Sequence, residues 1–211
     1  MPPSAGSPRP YDSSRRRAAA QANRRAILEA CRELLLRDGY QAATIRAVAD
    51  RANLSPETLY KAFGSKPQMM KALWDITLAG DDDPLTMAER PELRTVLSTP
   101  DPHLKLKLYA AFVSGVHERL ATLFTLLTGA DPEVAQLLEA TGQERLTGVN
   151  AFVAHLADEG ILRTGADQGA TADACWALTS PHLFTQLTAV RQWNVGAYRQ
   201  WLTDMLTATL L

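Results

Sequence analysis

Residues 44–66 read TIRAVADRANLSPETLYKAFGSK, and this stretch decides the fold. Its apolar residues recur at helical spacing in two short groups, which are separated by Asn53 and Leu54. Thr44 and Ser55 each precede one group, and a Thr or Ser hydroxyl in that position caps the first turn of a helix. The stretch therefore predicts two short helices joined by a tight turn.

The second short helix is expected to begin at Pro56, because the missing amide of proline costs nothing at the first helical position. Leu59 and Phe63 are four residues apart and should face inward. The same spacing turns a polar, aromatic and basic set outward: Glu57, Tyr60 and Lys61, with Thr58 at the boundary. A short helix with such a face has the geometry of a helix that lies in a DNA major groove.

The ends of these helices are marked by residues that tolerate unusual backbone conformations. Asn53 is suited to end the first helix in the left-handed region, and Leu54 to pack back into the core. Gly64 is suited to end the second helix, and Ser65 with Gln68 predicts a capping box for the next one. Any small helical protein needs such caps, so spacing alone leaves a purely structural explanation open.

The formal charge is divided unevenly along the chain. Residues 1–73 hold 13 Lys or Arg against 6 Asp or Glu, a formal +7, whereas residues 74–211 hold 9 against 17, a formal −8. The net charge of −1 therefore conceals a strongly polarised molecule. Positive charge around a candidate recognition helix favours binding to a phosphate backbone, because bound cations release its counterions.

Four motifs follow one another between residues 20 and 75. They are a Gly-aromatic pair at the end of a first helix, a Thr-led second helix, a third helix ending in Leu-Tyr-x-x-Phe, and a Lys that opens a fourth. In this chain they are Gly39-Tyr40, Thr44-Ile45, Leu59-Tyr60-Lys61-Ala62-Phe63 and Lys66. Together they resemble the DNA-binding region of the TetR family of transcriptional regulators.

The resemblance implies an all-α fold with a three-helix, homeodomain-like helix-turn-helix DNA-binding domain at residues 18–65. A helical-bundle ligand-binding and dimerisation domain should follow at residues 66–211. Residues 1–17 are expected to form a disordered basic arm, in which the arginines at 15–17 either begin a solvated helix or reach into the minor groove. Two recognition helices about 34–36 Å apart require a two-fold homodimer and an inverted-repeat operator in double-stranded DNA.

Contacts with DNA are expected from two sets of side chains. The resemblance carries over four phosphate contacts, which position the domain without reading sequence: Thr44, Ser55, Tyr60 and Lys66. Base edges are expected to be read by the remaining outward side chains: Arg46, Pro56, Glu57, Thr58 and Lys61.

Helical periodicity continues through the rest of the chain, and it predicts no strand. The first helix of the DNA-binding domain should run from about residue 18 to 38 and end at Gly39. A break is expected near Ser114-Gly115, and a new turn at Pro181 after Ser180. The later helices are expected at residues 66–79, within 84–100, and at 101–128, 131–159, 167–191 and 195–210.

The helical bundle is expected to bind a small, largely apolar effector between aromatic walls. An aromatic residue at helical spacing is more often core than pocket, and a histidine there is more often satisfied or exposed than a ligand anchor. Seven residues are nevertheless the candidates for this pocket: Trp74, Tyr109, Phe112, His117, Phe124, Phe152 and His182. The dimer interface is expected on the last two helices. Its candidates are also explained as core: Trp176, Leu183, Leu187, Trp201, Leu202, Met205 and Leu206.

Other classes of protein lack their signatures in this sequence. No Gly-rich phosphate loop, nucleophile elbow or His-Glu-x-x-His motif is present, so we expect neither an enzyme nor a bound cofactor or metal. Cys31 and Cys175 have no zinc-ligand spacing and should be buried, with redox sensing as the alternative. No apolar run reaches the roughly 18 residues of a membrane span, so a cytoplasmic protein without membrane contact is expected.

The functional hypothesis is a repressor that binds its operator as a homodimer and is released by the apolar effector. In this hypothesis the effector stabilises a state in which the fourth helix no longer holds the recognition helices at operator spacing. The alternative is an orphan or activating regulator, whose bundle serves only dimerisation or protein contacts. An enclosed cavity of a few hundred Å³ would favour the effector, and a tight apolar core the alternative.

Overall fold

A computed structural model describes residues 13–211 of the chain. No strand occurs in this range, and its α-helices are α1 (Ser13–Ala42), α2 (Ile45–Ala52), α3 (Pro56–Phe63), α4 (Lys66–Ala79), α5 (Pro91–Ser98), α6 (Pro102–Leu127), α7 (Pro132–Asp158), α8 (Gln168–Leu178), α9 (Pro181–Thr185) and α10 (Val195–Leu210). The all-α prediction is confirmed for these residues. The chain divides into two compact units after Met69, and helix α4 runs across the division.

The first unit contains α1, α2, α3 and the first turn of α4. Its core is built from the inward faces of the three helices: Ile27, Cys31, Leu35, Val48, Ala49 and Leu59 are all fully buried. Gly39 adopts φ 80° and ψ 177°, which interrupts α1 where the sequence predicted its end. Only glycine adopts this conformation at little cost.

Helix α1 begins at Ser13, earlier than the predicted residue 18. The three arginines at 15–17 are exposed and lie in its first turns. This placement corresponds to the solvated helix start that was one of the two expectations. The remainder of the predicted disordered arm, residues 1–12, lies outside the described residues.

The second unit contains the rest of α4 and helices α5 to α10, with a 3-10 turn at Met87–Glu89. The predicted break near Ser114-Gly115 is wrong, because α6 is continuous from Pro102 to Leu127. The Ser114 hydroxyl is buried and donates to the Ala110 carbonyl at 2.6 Å. This bond satisfies the polar side chain inside the helix, so the helix does not need to break there.

The predicted helix at 167–191 is divided as Pro181 indicated. Helix α8 ends before Thr179, Ser180 caps α9 by accepting from the His182 amide, and a π-helical turn follows at Gln186–Val190.

Two of the residues predicted for the dimer interface lie in the core of the second unit instead. Leu202 and Leu206 on α10 are fully buried inside this chain, so they are not interface residues. Both lie on the same buried stripe as Tyr198 and Leu210. None of the helices between Ser13 and Leu211 has the length and apolar character needed to cross a membrane.

Candidate DNA-binding face and ligand cavity

Helix α2 is capped at both ends as its sequence predicted. The Ala47 amide donates to Thr44 Oγ1 at 3.1 Å, which satisfies one of the unpaired amides of the first turn. Asn53 ends the helix in the left-handed region, with φ 55° and ψ 44°. The Leu54 amide then donates to the Ala49 carbonyl at 3.0 Å, so the chain turns sharply toward α3.

Helix α3 presents the predicted face to solvent. Ser55 caps it by accepting from the Thr58 amide at 3.3 Å, and Pro56 occupies its first position. Leu59 and Phe63 are buried, as predicted. Tyr60 is 56% exposed although it is aromatic, and Glu57 and Lys61 are also exposed. A large exposed aromatic side chain between charged residues is available for contact with a partner.

Glu57 lies at the amino terminus of α3 and interacts with that end of the helix. Hydrogen bonds from its own backbone amide, and then from Ser55, lower the pKa of the Glu57 carboxyl below its ordinary value. The group therefore carries a full negative charge at neutral pH, where it complements the positive end of the helix dipole. Arg46 on α2 is also exposed.

Lys66 differs from the other predicted DNA contacts because it is only half-exposed. Its ammonium donates to the Tyr40 carbonyl at 2.6 Å and lies 3.7 Å from the centroid of the Tyr40 ring. The side chain therefore stabilises the junction between the end of α1 and the start of α4. The sequence predicted only a DNA contact for Lys66 and not this structural role.

Arg24 on α1 was not predicted as part of the site. Its guanidinium carbon lies 5.1 Å from the centroid of the Phe63 ring, at the end of α3. A cation at this distance from a ring supports the packing of α1 against α3. The sequence offers no periodic signal for this contact, because Arg24 is one of several arginines in a basic segment.

The second unit contains a cavity of about 520 Å³. Five of the seven predicted pocket residues line it: Trp74, Tyr109, Phe112, His117 and Phe152. The Tyr109 and Phe152 rings stack with centroids 3.8 Å apart, and both side chains are buried. The volume lies within the range of small-molecule sites in proteins.

The other two predicted pocket residues do not line the cavity. Phe124 is buried and packs against the Trp74 ring, with centroids 6.4 Å apart. His182 is exposed and meets the edge of the Phe124 ring, with centroids 4.7 Å apart. Both residues support the cavity wall from outside it.

His117 brings a neutral polar group to the cavity. The side chain is 4% exposed, and its Nδ1 lies 3.4 Å from the Tyr198 hydroxyl. Burial, and after it the positive charge of Arg145, lower the pKa of His117 to about 3. The imidazole is therefore uncharged at neutral pH. It can donate one hydrogen bond and accept another, but it supplies no positive charge for an anionic ligand.

Arg145 on α7 also lines the cavity, and sequence reasoning missed it. Its Nη1 donates to the Trp176 carbonyl at 2.6 Å and to the Thr179 carbonyl at 3.1 Å. The guanidinium carbon lies 4.5 Å from the centroid of the Trp176 ring. Burial is the largest influence on the pKa of Arg145, which it lowers from the ordinary value.

Comparison with known proteins gives the family of the first unit. Residues 27–73 match the family described as bacterial regulatory proteins, tetR family. These residues therefore carry the DNA-binding region of the TetR family. The match covers α2 and α3, together with parts of α1 and α4.

A curated relative matches a stretch of the chain of the same length. It is an uncharacterised helix-turn-helix-type transcriptional regulator of Bacillus subtilis, 39% identical over 47 residues. That alignment covers 22% of this chain, and the chain spans only 25% of the relative's length.

Solved structures resemble the chain over most of its length. The transcriptional regulator FadR of Bacillus subtilis, solved in complex with stearoyl-CoA, has a TM-score of 0.65 at 16% identity, over 88% of this chain and 98% of that one. SmeT, the repressor of a multidrug efflux pump of Stenotrophomonas maltophilia, has a TM-score of 0.65 at 17% identity, over 90% and 91%. A TetR transcription regulator of Haloarcula marismortui has a TM-score of 0.63 at 16% identity, over 90% and 100%. Identities this low show a shared fold alone.

Proposed function

We propose that the chain is a homodimeric repressor that binds an inverted-repeat operator and is released by a small, largely apolar ligand. The observation that carries the DNA-binding part is the exposed face of α3, with Tyr60 and Lys61 on a helix capped by Ser55. This face belongs to residues 1–73, which carry the formal +7 charge. Both features suit a helix that docks on a polyanion.

The proposed contacts are divided by what they recognise. Phosphates would be held by Thr44, Ser55, Tyr60 and Lys66. Base edges would be read by Arg46, Pro56, Glu57, Thr58 and Lys61. Lys61 can donate to guanine and Glu57 can accept from a cytosine amino group. Residues 18–65 would form the DNA-binding domain, and residues 66–211 the domain for the ligand and the dimer.

The proposed dimer face lies on α8 and α10. Trp176 on α8 is 37% exposed, which is unusual for so large an apolar side chain, and Met205 on α10 is half-buried. Because Leu202 and Leu206 are core residues, the face would use the outward residues of α10. We expect Met205→Glu to shift the protein toward monomer in light scattering, and exposed Arg94→Glu on α5 to leave its mass unchanged.

A ligand-responsive repressor is favoured over the orphan alternative by the cavity of about 520 Å³. Trp74 in its wall belongs to α4, the helix that begins with Lys66. A ligand that binds one arrangement of α4 better than another would shift the population toward that arrangement. By linkage, operator DNA would weaken ligand binding by the same factor. SmeT, which shares this fold, is a repressor.

Selection of bound sequences from random double-stranded DNA tests the DNA-binding proposal. We expect the selected DNA to contain an inverted repeat, and two chains to bind each copy of it. The affinity for this DNA should fall steeply as the salt concentration rises. Tyr60→Ala should weaken binding. The exposed Leu36→Ala on the same unit, away from α3 in sequence, is the matched control. Selection of no sequence, or of a single half-site by a monomer, would contradict the proposal.

A further inference from the structure

We propose that the cavity of the second unit selects an apolar molecule that carries one carboxylate, and that Arg145 binds this carboxylate. The inference rests on the ligand-binding role proposed above and specifies the chemistry of the ligand. It depends on the charges and hydrogen bonds around the cavity.

The positive charge of Arg145 is not balanced by a carboxylate in the described part of the chain. All of its hydrogen bonds are donated by Nη1, and the acceptors are the Trp176 carbonyl and the carbonyl and hydroxyl oxygens of Thr179. No acidic side chain contributes to the shift of its pKa. The Nε and Nη2 groups therefore retain N–H donors for an acceptor that comes from outside the chain.

The two carboxylates that line the cavity are already paired with another cation. Lys71 lies 2.7 Å from Asp75 and 3.1 Å from Glu144. Both acidic side chains are at least half exposed, so they belong to the surface side of the wall. Arg145 is thus the cation of the cavity that remains available for an anion.

A half-buried guanidinium without a counter-ion carries a desolvation cost, which an incoming anion would offset. The planar fork of arginine matches the two oxygens of a carboxylate. Its ring contact with Trp176, at 4.5 Å, holds the guanidinium in one orientation. A guanidinium that is already oriented loses less conformational entropy when it binds a planar carboxylate.

Trp74 provides a second donor without an acceptor. Its side chain is 4% exposed, it lines the cavity, and its indole Nε1 has no hydrogen-bond partner in the described structure. A buried N–H group in this state loses the hydrogen bond it had in water, so an acceptor on the ligand would satisfy it. Most of the remaining lining is apolar, including Phe112 and Phe152, which suits a hydrocarbon chain or ring.

The charge inventory argues against other head groups. His117 lines the cavity but is neutral, and His155 also lines it but lies 3.3 Å from the Glu159 carboxylate. Arg145 is therefore the cation that is left for the ligand. A phosphate monoester carries up to two charges and would be left partly unpaired. A cationic ligand would be repelled by Arg145, and an uncharged one would leave the positive charge of Arg145 without a counter-ion.

Calorimetric titration of the full-length protein without DNA tests the inference, with decanoate, decanol and decyl phosphate as probes. We expect decanoate to bind at least about tenfold more tightly than decanol, because hydrogen bonds to charged groups are the stronger ones. Arg145→Gln should bring the two affinities together, and Arg145→Lys should retain part of the difference. Trp74→Phe keeps an aromatic side chain but removes the N–H donor, and it should weaken the binding of every probe that accepts a hydrogen bond.

Exposed Arg94→Gln is the matched control and should retain the full preference, and thermal unfolding verifies that each variant is folded. Equal affinities for decanoate and decanol, tighter binding of decyl phosphate, binding of no probe, or an undiminished preference in folded Arg145→Gln would each overturn the inference. Operator selection is measured separately. A protein that selects an operator but shows no carboxylate preference would overturn this inference alone, whereas decanoate binding without DNA binding would overturn the proposed repressor.

Discussion

The Lys66 ammonium lies 2.6 Å from the Tyr40 carbonyl oxygen and 3.7 Å from the centroid of the Tyr40 ring. The first residue of α4 is thereby bonded to the segment that follows the Gly39 interruption of α1. An ammonium held in this way has both a structural role and, in our proposal, a role at the DNA backbone. The two roles can be separated by measuring stability and DNA affinity on the same variants.

Replacement of Lys66 by Met should lower the free energy of unfolding by roughly 1–3 kcal/mol, because a charge-assisted hydrogen bond and a cation–π contact are lost. Urea unfolding measures this change. Exposed Lys61→Met is the matched control, and its stability should stay within about 0.5 kcal/mol of the wild type. Equal stability of the two variants would show that the Tyr40 contact contributes nothing.

Lys61→Ala should change which base pairs are preferred, whereas Lys66→Met should weaken all sequences alike. A base contact of this kind discriminates by roughly 1–3 kcal/mol, and a phosphate contact does not discriminate. Binding to a panel of operators with single substitutions measures both variants, after correction for the folded fraction of Lys66→Met. Identical profiles for the two variants would reject the assignment of Lys61 to a base edge.

His117 should make the protein less stable in mild acid. Its pKa of about 3 in the native state lies below the ordinary value of 6.5, so the unfolded chain takes up the proton first as the pH falls. The contribution of this group is therefore constant well above pH 6.5 and is lost progressively between 6.5 and 3. Between pH 7.5 and 5.0 the loss should be about 2 kcal/mol.

Urea unfolding of His117→Gln at these two pH values measures that contribution. The variant should lack the acid-induced loss that the wild type shows, whatever its stability at neutral pH. Exposed His103→Gln is the matched control and should follow the wild-type pH profile. A wild-type profile in His117→Gln would mean that the buried imidazole is not responsible.

Neither cysteine of the chain should react with a thiol reagent while the protein is folded. Cys31 and Cys175 are fully buried, and burial raises the pKa of each thiol to about 12. The thiolate is the reactive form, so reaction at neutral pH should wait for unfolding. Titration with a chromogenic disulfide should detect no reactive thiol in buffer and two in urea. In Cys31→Ala the number detected in urea should fall to one. Rapid reaction of Cys175 in the folded protein would revive the redox-sensing alternative.

Much of the first unit could be predicted because its signals are local. Caps at Thr44 and Ser55, the left-handed Asn53 and the inward pair Leu59 and Phe63 depend on residues at most a few positions apart. The prediction of a break in α6 was wrong because it depends on a contact that the sequence does not determine. Ser114 can bond to its own helix, and only the packed structure decides whether it does.

The cavity could be predicted only in part, because it depends on contacts between helices far apart in the sequence. Aromatic residues at helical spacing indicated five of its lining residues, but spacing cannot separate a wall residue such as Trp74 from a supporting one such as Phe124. Arg145 escaped prediction altogether. Its acceptors at Trp176 and Thr179 are more than thirty residues away, so it resembled any other charged residue on a helix surface.

Trp74 has a practical consequence as one of the four tryptophans of the chain. It is buried at 4% exposure in the cavity wall, whereas Trp176 and Trp193 are each 37% exposed and Trp201 is half-buried. Replacement of those three by phenylalanine would leave a single intrinsic fluorophore, whose emission changes when a molecule displaces water beside its indole. The protein would then report occupancy optically, without a dye, from the helix that also carries Lys66.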